Sequence, residues 1–150
     1  MSGVQAPDWY AGQQDILSHL KADPTLAQAD ILEGSVGDLY EIPMVGTTVK
    51  PHVLVEFMAL SVSKEGQHIV GGAYDSGQGQ LIVNSIAGDP DTARQLSQRV
   101  LNSLLGYAPT GCSELTLALF AGIGKVSSSR TPTRYSADQA FRTLVNSTLL

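Results

Sequence analysis

The chain has 150 residues, of which 43% are hydrophobic and 15% charged, and its formal net charge is −5. This length and apolar content predict one domain, residues 1–150, with a buried core, and argue against wholesale disorder. No basic run is present, which argues against tight nucleic-acid binding, because phosphate affinity depends on clustered Lys and Arg.

Cys112 is the single cysteine, so it cannot form an internal disulfide, and no oxidising compartment is implied. Residues 1–10 lack the basic region and apolar run that are typical of a signal peptide. No apolar run approaches the roughly 20 residues needed to span a bilayer. These features predict a soluble protein that is made in a cytoplasm and has no membrane partner.

The first half of the chain predicts a helix and then strands. Asp8 can cap a helix that ends before Asp23, because the residue before a proline avoids helical angles. Residues 25–32 predict a turn or one extra helical turn, and Asp38 to Val45 predicts a short strand, which its proline would confine to a sheet edge. The segment HVLVEFMALSV, from His52, is apolar on both faces and predicts a central strand.

Residues 64–79 are rich in Gly and polar side chains. They predict a hairpin tip or a long flexible arm that orders against a partner.

Residues 80–106 predict a strand, a sharp turn and an amphipathic helix. Asp89 is suited to the N-cap because its carboxylate can accept from the free amides of the first turn. Pro90 fits the first helical position, where its missing N–H costs nothing. Gly106 is placed to adopt the left-handed conformation that ends a helix.

The last third predicts two strands separated by a loop. Ser113 to Phe120 alternates, with Leu115, Leu117 and Leu119 on one face, and residues 125–133 predict a Ser/Thr-rich loop. Residues 134–145 fit an antiparallel strand with one wet side. The order of elements predicts an α+β fold in which two helices pack on one face of a mainly antiparallel sheet of about five strands.

We find no residue pattern that predicts an active site. The segment GIGKVS, from Gly122, resembles a phosphate-binding loop, but Leu119 and Val126 occupy positions that require Gly and Ser or Thr, so a turn is the better interpretation. The histidines, at positions 19, 52 and 68, do not have metal-ligand spacing. The sequence therefore predicts no catalytic residues, no metal, no cofactor and no enzymatic activity.

The order of elements resembles the tail terminator (tail completion) proteins of long-tailed bacteriophages. The similarity comprises an N-terminal helix, the VLVEF strand, a polar loop, a strand leading through Gly-Asp-Pro-Asp into a helix, and the late RYSADQAFRTLV strand. The helix has the pattern D-x-A-x-x-L-x-x-R-V-x-x-x-L, which is occupied here by Asp91, Ala93, Leu96, Arg99, Val100 and Leu104.

This resemblance implies a structural virion protein in the tail or neck. Such a protein forms a homo-hexameric ring at the head-proximal end of the tail tube, ends tube polymerisation, and joins the tail to a head-completion (neck) protein. Its other partner is the tail tube protein, and DNA passes through the lumen without specific binding.

A ring needs a heterologous interface, for which the edge at Asp38 to Val45 and the arm at Gly66 to Gly79 are suitable. The candidate interface residues are Tyr40, Ile42, His68, Ile69, Tyr74, Asp75 and Gln78.

Two alternatives remain open at this stage. A tail-tube or head–tail adaptor protein would share the virion setting but would polymerise or bind the portal. A small non-catalytic α+β domain that binds a ligand or partner would stay monomeric or dimeric, and a small molecule would raise its thermal stability.

Overall fold

The structure is a computed structural model that describes residues 4–5, 9–34, 40–61, 76–128, 131–146 and 148–149. It contains helices α1 (Trp9–Ala22) and α2 (Pro90–Leu104) and a 3-10 turn at Pro24–Leu26. The strands are β1 (Val4–Gln5), β2 (Asp30–Glu33), β3 (Met44–Val45), β4 (Thr48–Val49), β5 (His52–Ser61), β6 (Ser76–Ala87), β7 (Thr116–Ser128), β8 (Thr131–Asn146) and β9 (Thr148–Leu149).

The main sheet has five strands in the order β2-β5-β6-β8-β7. β2 runs parallel to β5, and the other neighbouring pairs are antiparallel. The predicted α+β class with a mainly antiparallel sheet is therefore confirmed. Two short antiparallel pairs, β1 with β9 and β3 with β4, lie outside this sheet.

The strand–turn–helix at β6 and α2 matches its prediction closely. The Asp89 carboxylate accepts from the backbone N–H of Thr92 at 2.9 Å, and Pro90 begins the helix. After the last turn, Gly106 has a φ of +83°, the left-handed region that favours glycine. Local chemistry is thus sufficient to define both ends of α2.

One hydrophobic cluster joins the two helices to the sheet. The register places Val55 opposite Val83 and Leu81 opposite Phe141, so these side chains share a face. The helices contribute Ile16, Leu17 and Leu20 from α1 and Leu96, Val100 and Leu104 from α2.

The opposite face of β5 is buried as well, at the start of the strand. His52 and Leu54 are fully buried there, and so is Ile86 on the neighbouring strand β6. β5 is therefore an interior strand, the second of five, and it has the two apolar faces predicted for it.

Phe57 of β5 is wedged between two glycines. A Cβ on Gly12 would lie 2.9 Å from Cε2 of the ring, and a Cβ on Gly79 would lie 2.8 Å from Cε1. The ring of Trp9 lies 5.5 Å away between centroids, and Gln13 Oε1 accepts from the Phe57 N–H at 3.2 Å. The close approach of α1 to β5 thus depends on the missing side chain of Gly12.

The predicted end of the sheet is wrong in its details. Residues 122–127, predicted as a turn, lie within β7, and the predicted loop at 125–133 belongs to β7 and β8 apart from residues 129–130, which are not described. Leu117 pairs with Phe141 and Leu119 with Ala140, because a bulge between them shifts the register. The two leucines therefore face opposite sides, whereas a shared face was predicted.

Three other predicted boundaries also change. Residues 30–32, predicted as a turn, belong to β2, because the backbone of this segment pairs with the start of β5. Only Met44–Val45 of the strand predicted at 38–45 is a strand, and it pairs with β4. Residues 76–79 of the predicted arm belong to β6 and pair with β8, while residues 64–75 lie outside the described residues.

Candidate assembly surfaces

The structure describes some of the predicted interface residues and does not bring them together. Tyr40 and Ile42 are half-buried beside β2, at one edge of the sheet. Gln78 is exposed on β6 and pairs with Ser61, at the end of β5 that is remote from the Tyr40 contact with His52. The other predicted residues lie outside the described part of the chain: His68, Ile69, Tyr74 and Asp75.

A chain of partly buried hydrogen bonds holds Tyr40 in place. The Tyr40 hydroxyl lies 2.8 Å from His52 Nε2, His52 Nδ1 lies 2.7 Å from the Lys50 carbonyl oxygen, and Arg134 Nε donates to the Tyr40 oxygen at 3.2 Å. A carbonyl oxygen only accepts, so we assign the imidazole proton to Nδ1. Tyr40 then donates to Nε2, and we call this set the Arg134–Tyr40–His52 chain.

The surroundings favour the neutral forms of both His52 and Tyr40. Burial lowers the pKa of His52; the hydrogen bond to the Lys50 carbonyl and the nearby Asp30 oppose this effect, while the charge of Arg134 adds to it. Burial raises the pKa of Tyr40 and outweighs the opposing influence of Arg134. A neutral imidazole keeps the acceptor that the Tyr40 hydroxyl needs.

The Arg134–Tyr40–His52 chain fixes the segment before β3 onto the sheet. Its members come from that segment, from β5 and from β8. Beside it, Lys50 Nζ and Asp30 Oδ1 form an ion pair at 2.7 Å, with about a third of each side chain exposed. An exposed pair of this kind adds little stability, so the buried chain is the main polar anchor here.

A second polar cluster, the Asp15 clamp, ties the loop after α2 to α1. Asp15 Oδ1 accepts from the Tyr107 hydroxyl at 2.6 Å, and Oδ2 accepts from Thr110 N at 2.6 Å and Thr110 Oγ1 at 2.8 Å. The His19 ring stacks on Tyr107 with centroids 3.7 Å apart. Burial alone would raise the pKa of Asp15, but these hydrogen bonds outweigh it and hold the pKa below 3.8.

The same hydrogen bond raises the pKa of Tyr107 to about 12, because the hydroxyl donates to a carboxylate. The neighbouring Cys112 thiol has its pKa raised to about 11, first by burial and then by the charge of Asp15. A thiol with so high a pKa is a poor nucleophile at neutral pH. The Cys112 side chain is partly buried and packs against the hydrophobic cluster.

Large apolar side chains are exposed along β7, the last strand of the sheet. Phe120 is 51% exposed and Leu117 is 37% exposed. These two residues face Gln139 and Phe141 of β8, and Ile123 and Lys125 face Ala137 and Tyr135. The four side chains therefore share the face of the hydrophobic cluster, and we call Leu117, Phe120, Ile123 and Lys125 the β7 stripe.

A groove lies at the other edge of the sheet, beside β2. Its volume is about 630 Å³, and we call it the β2 groove. Its described lining consists of Asp30, Leu32, Glu33, Tyr40, Glu41, Ile42, Pro43 and Met44, which include three carboxylates and no basic side chain. Because Leu32 pairs with Leu54, which faces away from Val55, the groove and the β7 stripe lie on opposite faces as well as opposite edges.

Charge is distributed unevenly between the β7–β8 hairpin and the rest of the chain. Residues 116–146 contain four of the nine Lys and Arg residues but only one of the fourteen Asp and Glu residues. The hairpin thus has a formal charge of +3 and the remainder −8, which together give the net −5. The net charge alone conceals this asymmetry, which becomes apparent once the hairpin boundaries are known.

Other kinds of site receive no support from the described residues. Within the described ranges, no group of three or more His, Cys, Asp or Glu side chains is arranged to hold a metal ion. Gly122 and Lys125 lie in an extended strand, whereas a phosphate-binding loop requires a turn that leads into a helix. Neither α1 nor α2 has the length and apolar content that a bilayer crossing demands.

The chain is similar to known proteins in structure and not in sequence family. No protein-family model and no curated protein matches the chain. A chain in the virion of a native gene transfer agent (GTA) particle has a TM-score of 0.56 and 16% identity, over 91% of this chain and 95% of that one. This similarity shows a shared fold.

Two further solved structures are less similar. The bacteriophage SPP1 gp17 protein has a TM-score of 0.43 and 14% identity, over 91% of this chain and 89% of that chain. A chain from the tail of an empty GTA particle with C6 symmetry has a TM-score of 0.24 and 14% identity, over 65% and 78%. At these scores neither similarity contributes to the argument.

Proposed function

We propose that this protein is a structural component of a phage-like virion and acts as a tail terminator. It forms a homo-hexameric ring at the head-proximal end of the tail tube, ends tube polymerisation and connects the tail to a head-completion protein. The observation that carries this proposal is the fold shared with a GTA virion chain over 91% of the present chain. The order of elements and the pattern of α2 support the finer assignment.

The packing supports a single structural domain at residues 1–150. Both helices contribute to one hydrophobic cluster, and its sheet residues, among them Val55, Val83 and Phe141, share a face by register. We infer that α1 and α2 cover this same face. The opposite face is then available at its margins for contacts between subunits.

The polar clusters support a structural role over a catalytic one. In the Arg134–Tyr40–His52 chain and the Asp15 clamp, the polar atoms pair with one another and with backbone groups. A general base or a nucleophile needs an atom that can reach a substrate. We therefore assign both clusters to loop positioning and propose that the protein is not an enzyme.

The charge distribution supports a conduit that DNA passes without being gripped. Outside the β7–β8 hairpin the chain has a formal charge of −8. A surface with this charge repels phosphate, and tight DNA binding would need clustered basic residues facing the lumen. We propose that acidic side chains outside both the hairpin and the β2 groove face the lumen. Tyr40 and Ile42 are proposed to take part in the contact with a neighbouring subunit.

The first test is the mass of the purified protein in solution, measured by light scattering over a range of concentration and salt. A discrete species of hexamer size, or a monomer that assembles only on purified tail tubes and caps them, is expected. Polymers that lengthen with concentration would identify a tube protein. A monomer that is indifferent to tubes would contradict the proposed function and favour a ligand-binding domain, which thermal-shift screening would detect.

A further inference from the structure

We infer that the β7 stripe of one copy docks into the β2 groove of a second copy, head to tail. This inference rests on the proposed assembly role and names the two surfaces that would form the contact between subunits. Neither surface was predicted as a whole: the β7 stripe was not predicted, and only Tyr40 and Ile42 of the groove were.

The apolar parts of the two surfaces match. The stripe presents Leu117, Phe120 and Ile123, of which Phe120 is half exposed. The groove presents an apolar floor and walls to receive them, formed by Leu32, Tyr40, Ile42, Pro43 and Met44. Burying these side chains against each other removes apolar surface from water on both copies, which is the main driving force of association.

The charges match as well. The stripe ends at the exposed Lys125, within a hairpin of charge +3. Glu41 is exposed at the groove. Of the other two carboxylates, Asp30 is paired with Lys50, and Glu33, which the register places on the Val55 side of the sheet, accepts from Gln14 Nε2 at 2.8 Å. Placing Lys125 beside Glu41 joins opposite charges. Like charges would oppose a contact between two stripes or between two grooves, so the charges favour a head-to-tail orientation.

The surfaces cannot meet within one copy. β2 and β7 are separated by four spacings between strands, or about 19 Å, and the surfaces lie on opposite faces. A β7 stripe that enters the groove must therefore come from another molecule. A contact between two different patches of the same chain repeats from copy to copy, and it closes into a ring when the rotation allows.

The irregular shape of β7 indicates docking by side chains. Its pairing with β8 shifts register at three points, between Leu117 and Leu119, between Phe120 and Ile123, and between Val126 and Ser128. Bulges of this kind hinder the addition of a further strand through backbone hydrogen bonds. The exposed side chains of β7 remain available, so we expect them to enter the groove without extending the sheet.

Charge reversal tests the orientation of the contact. Lys125→Glu and Glu41→Lys are each expected to raise the concentration at which half the full-length protein is assembled by about tenfold, because each puts like charges together. The double variant restores opposite charges and is expected to return within about threefold of the unaltered protein. Arg99→Glu, an exposed change on α2, is the matched control and is expected to leave assembly unchanged.

An apolar change tests the same contact without altering charge. Phe120→Ser is expected to weaken assembly by at least about tenfold, because the side chain is expected to sit in the groove. Leu105→Ser alters an equally exposed side chain beyond the end of α2 and serves as its control. Far-UV circular dichroism and thermal unfolding of each variant separate a loss of assembly from a loss of folding.

The outcomes distinguish the interface from the proposed function. If the unaltered protein forms rings or caps tubes and the stripe and groove variants do so equally well, the interface is wrong and the function stands. A double variant weaker than both single variants also contradicts the contact. If Lys125→Glu lowers affinity for a DNA duplex but leaves assembly unchanged, the hairpin contacts DNA and this inference fails. A protein that stays monomeric with and without tubes contradicts both proposals.

Discussion

The Arg134–Tyr40–His52 chain and the Asp15 clamp perform the same task in different surroundings. Each ties an irregular segment to regular structure through three side chains. The Arg134–Tyr40–His52 chain is largely buried and requires a neutral imidazole, while the clamp is partly exposed and is built around an ionised carboxylate. Water can replace a lost partner more easily at the clamp than beside His52 and Arg134, which are buried. Loss of a hydrogen-bond partner should therefore lower the free energy of unfolding by different amounts in the two clusters, and the stability of the two clusters should depend on pH differently.

Removal of the Tyr40 hydroxyl should have the largest effect. Tyr40→Phe takes the donor from His52 Nε2 and an acceptor from Arg134 Nε, and both of these side chains are buried. We expect the free energy of unfolding, measured with denaturant, to fall by about 2 kcal/mol. Tyr10→Phe removes an exposed hydroxyl as the control and should change it little. Equal effects of the two substitutions would refute the anchoring role of Tyr40.

The corresponding change in the Asp15 clamp should lower the free energy of unfolding by less. Asp15→Asn replaces one of the two accepting oxygens by an NH2 group, so either Tyr107 or Thr110 loses its acceptor. Because the site is partly exposed, we expect a loss of about 1 kcal/mol, measured in the same denaturation experiment. Glu114→Gln, at an exposed carboxylate, is the control. A loss as large as that of Tyr40→Phe would show that exposure does not separate the two clusters.

The two clusters should lose stability in different pH ranges. The pKa of His52 is lowered on folding from 6.5, so the unfolded chain takes up a proton first as the pH falls. Stability from a neutral His52 is complete above about 6.5 and should decline as the pH falls from there towards the folded value. The pKa of Asp15 is lowered from 3.8, so its contribution should persist until the pH falls below about 3.8.

Denaturant unfolding at a series of pH values checks this difference. We expect stability to decline as the pH falls below about 6.5, and this decline to be reduced in His52→Leu and retained in Asp15→Asn. A flat profile in that range, or the same decline in His52→Leu, would show that His52 does not set the pH dependence.

The smallest expected effect concerns thiol reactivity beside the clamp. The charge of Asp15 contributes to the raised pKa of Cys112, and Cys112 Sγ lies 3.6 Å from the Thr110 carbonyl oxygen. Asp15→Asn should lower that pKa and speed thiol labelling a few-fold at about pH 8, because the thiolate is the reactive form. Tyr40→Phe, far from this thiol, should leave the rate unchanged. A labelling rate that is insensitive to Asp15→Asn would show that the charge of Asp15 does not control the reactivity of Cys112.

The features that were predicted correctly have local signals. α2 is specified by Asp89, Pro90 and Gly106, which lie at or next to its ends, together with a stripe of helical period. β5 is identified by a run that is apolar on both faces. In each case the residues that determine the element lie within it or directly next to it, so the local sequence was sufficient to predict it.

The features that were missed depend on partners distant in the chain. The first part of β7 lies within the strand predicted at Ser113 to Phe120. The rest of β7 contains Gly122, Gly124 and serines, and the bulges break the alternation by which a strand is recognised. Pairing with β8 makes it a strand nonetheless. Arg134 and Tyr40 are 94 residues apart, and no local pattern indicates that they meet. The predicted edge at Asp38 to Val45 overlaps the β2 groove, whereas the β7 stripe gave no recognisable signal.

The position of Phe57 between Gly12 and Gly79 bears on how this sequence can evolve. The two glycines are remote in sequence, yet the tolerance of each to a methyl group depends on the same aromatic ring. Alanine at either position should be unfavourable while Phe57 is present and much better accepted once a smaller residue replaces it. The effects of substitutions at the three positions should therefore depend on one another. As related sequences diverge, the residue at each position can change, while the summed volume of the three side chains should stay nearly constant.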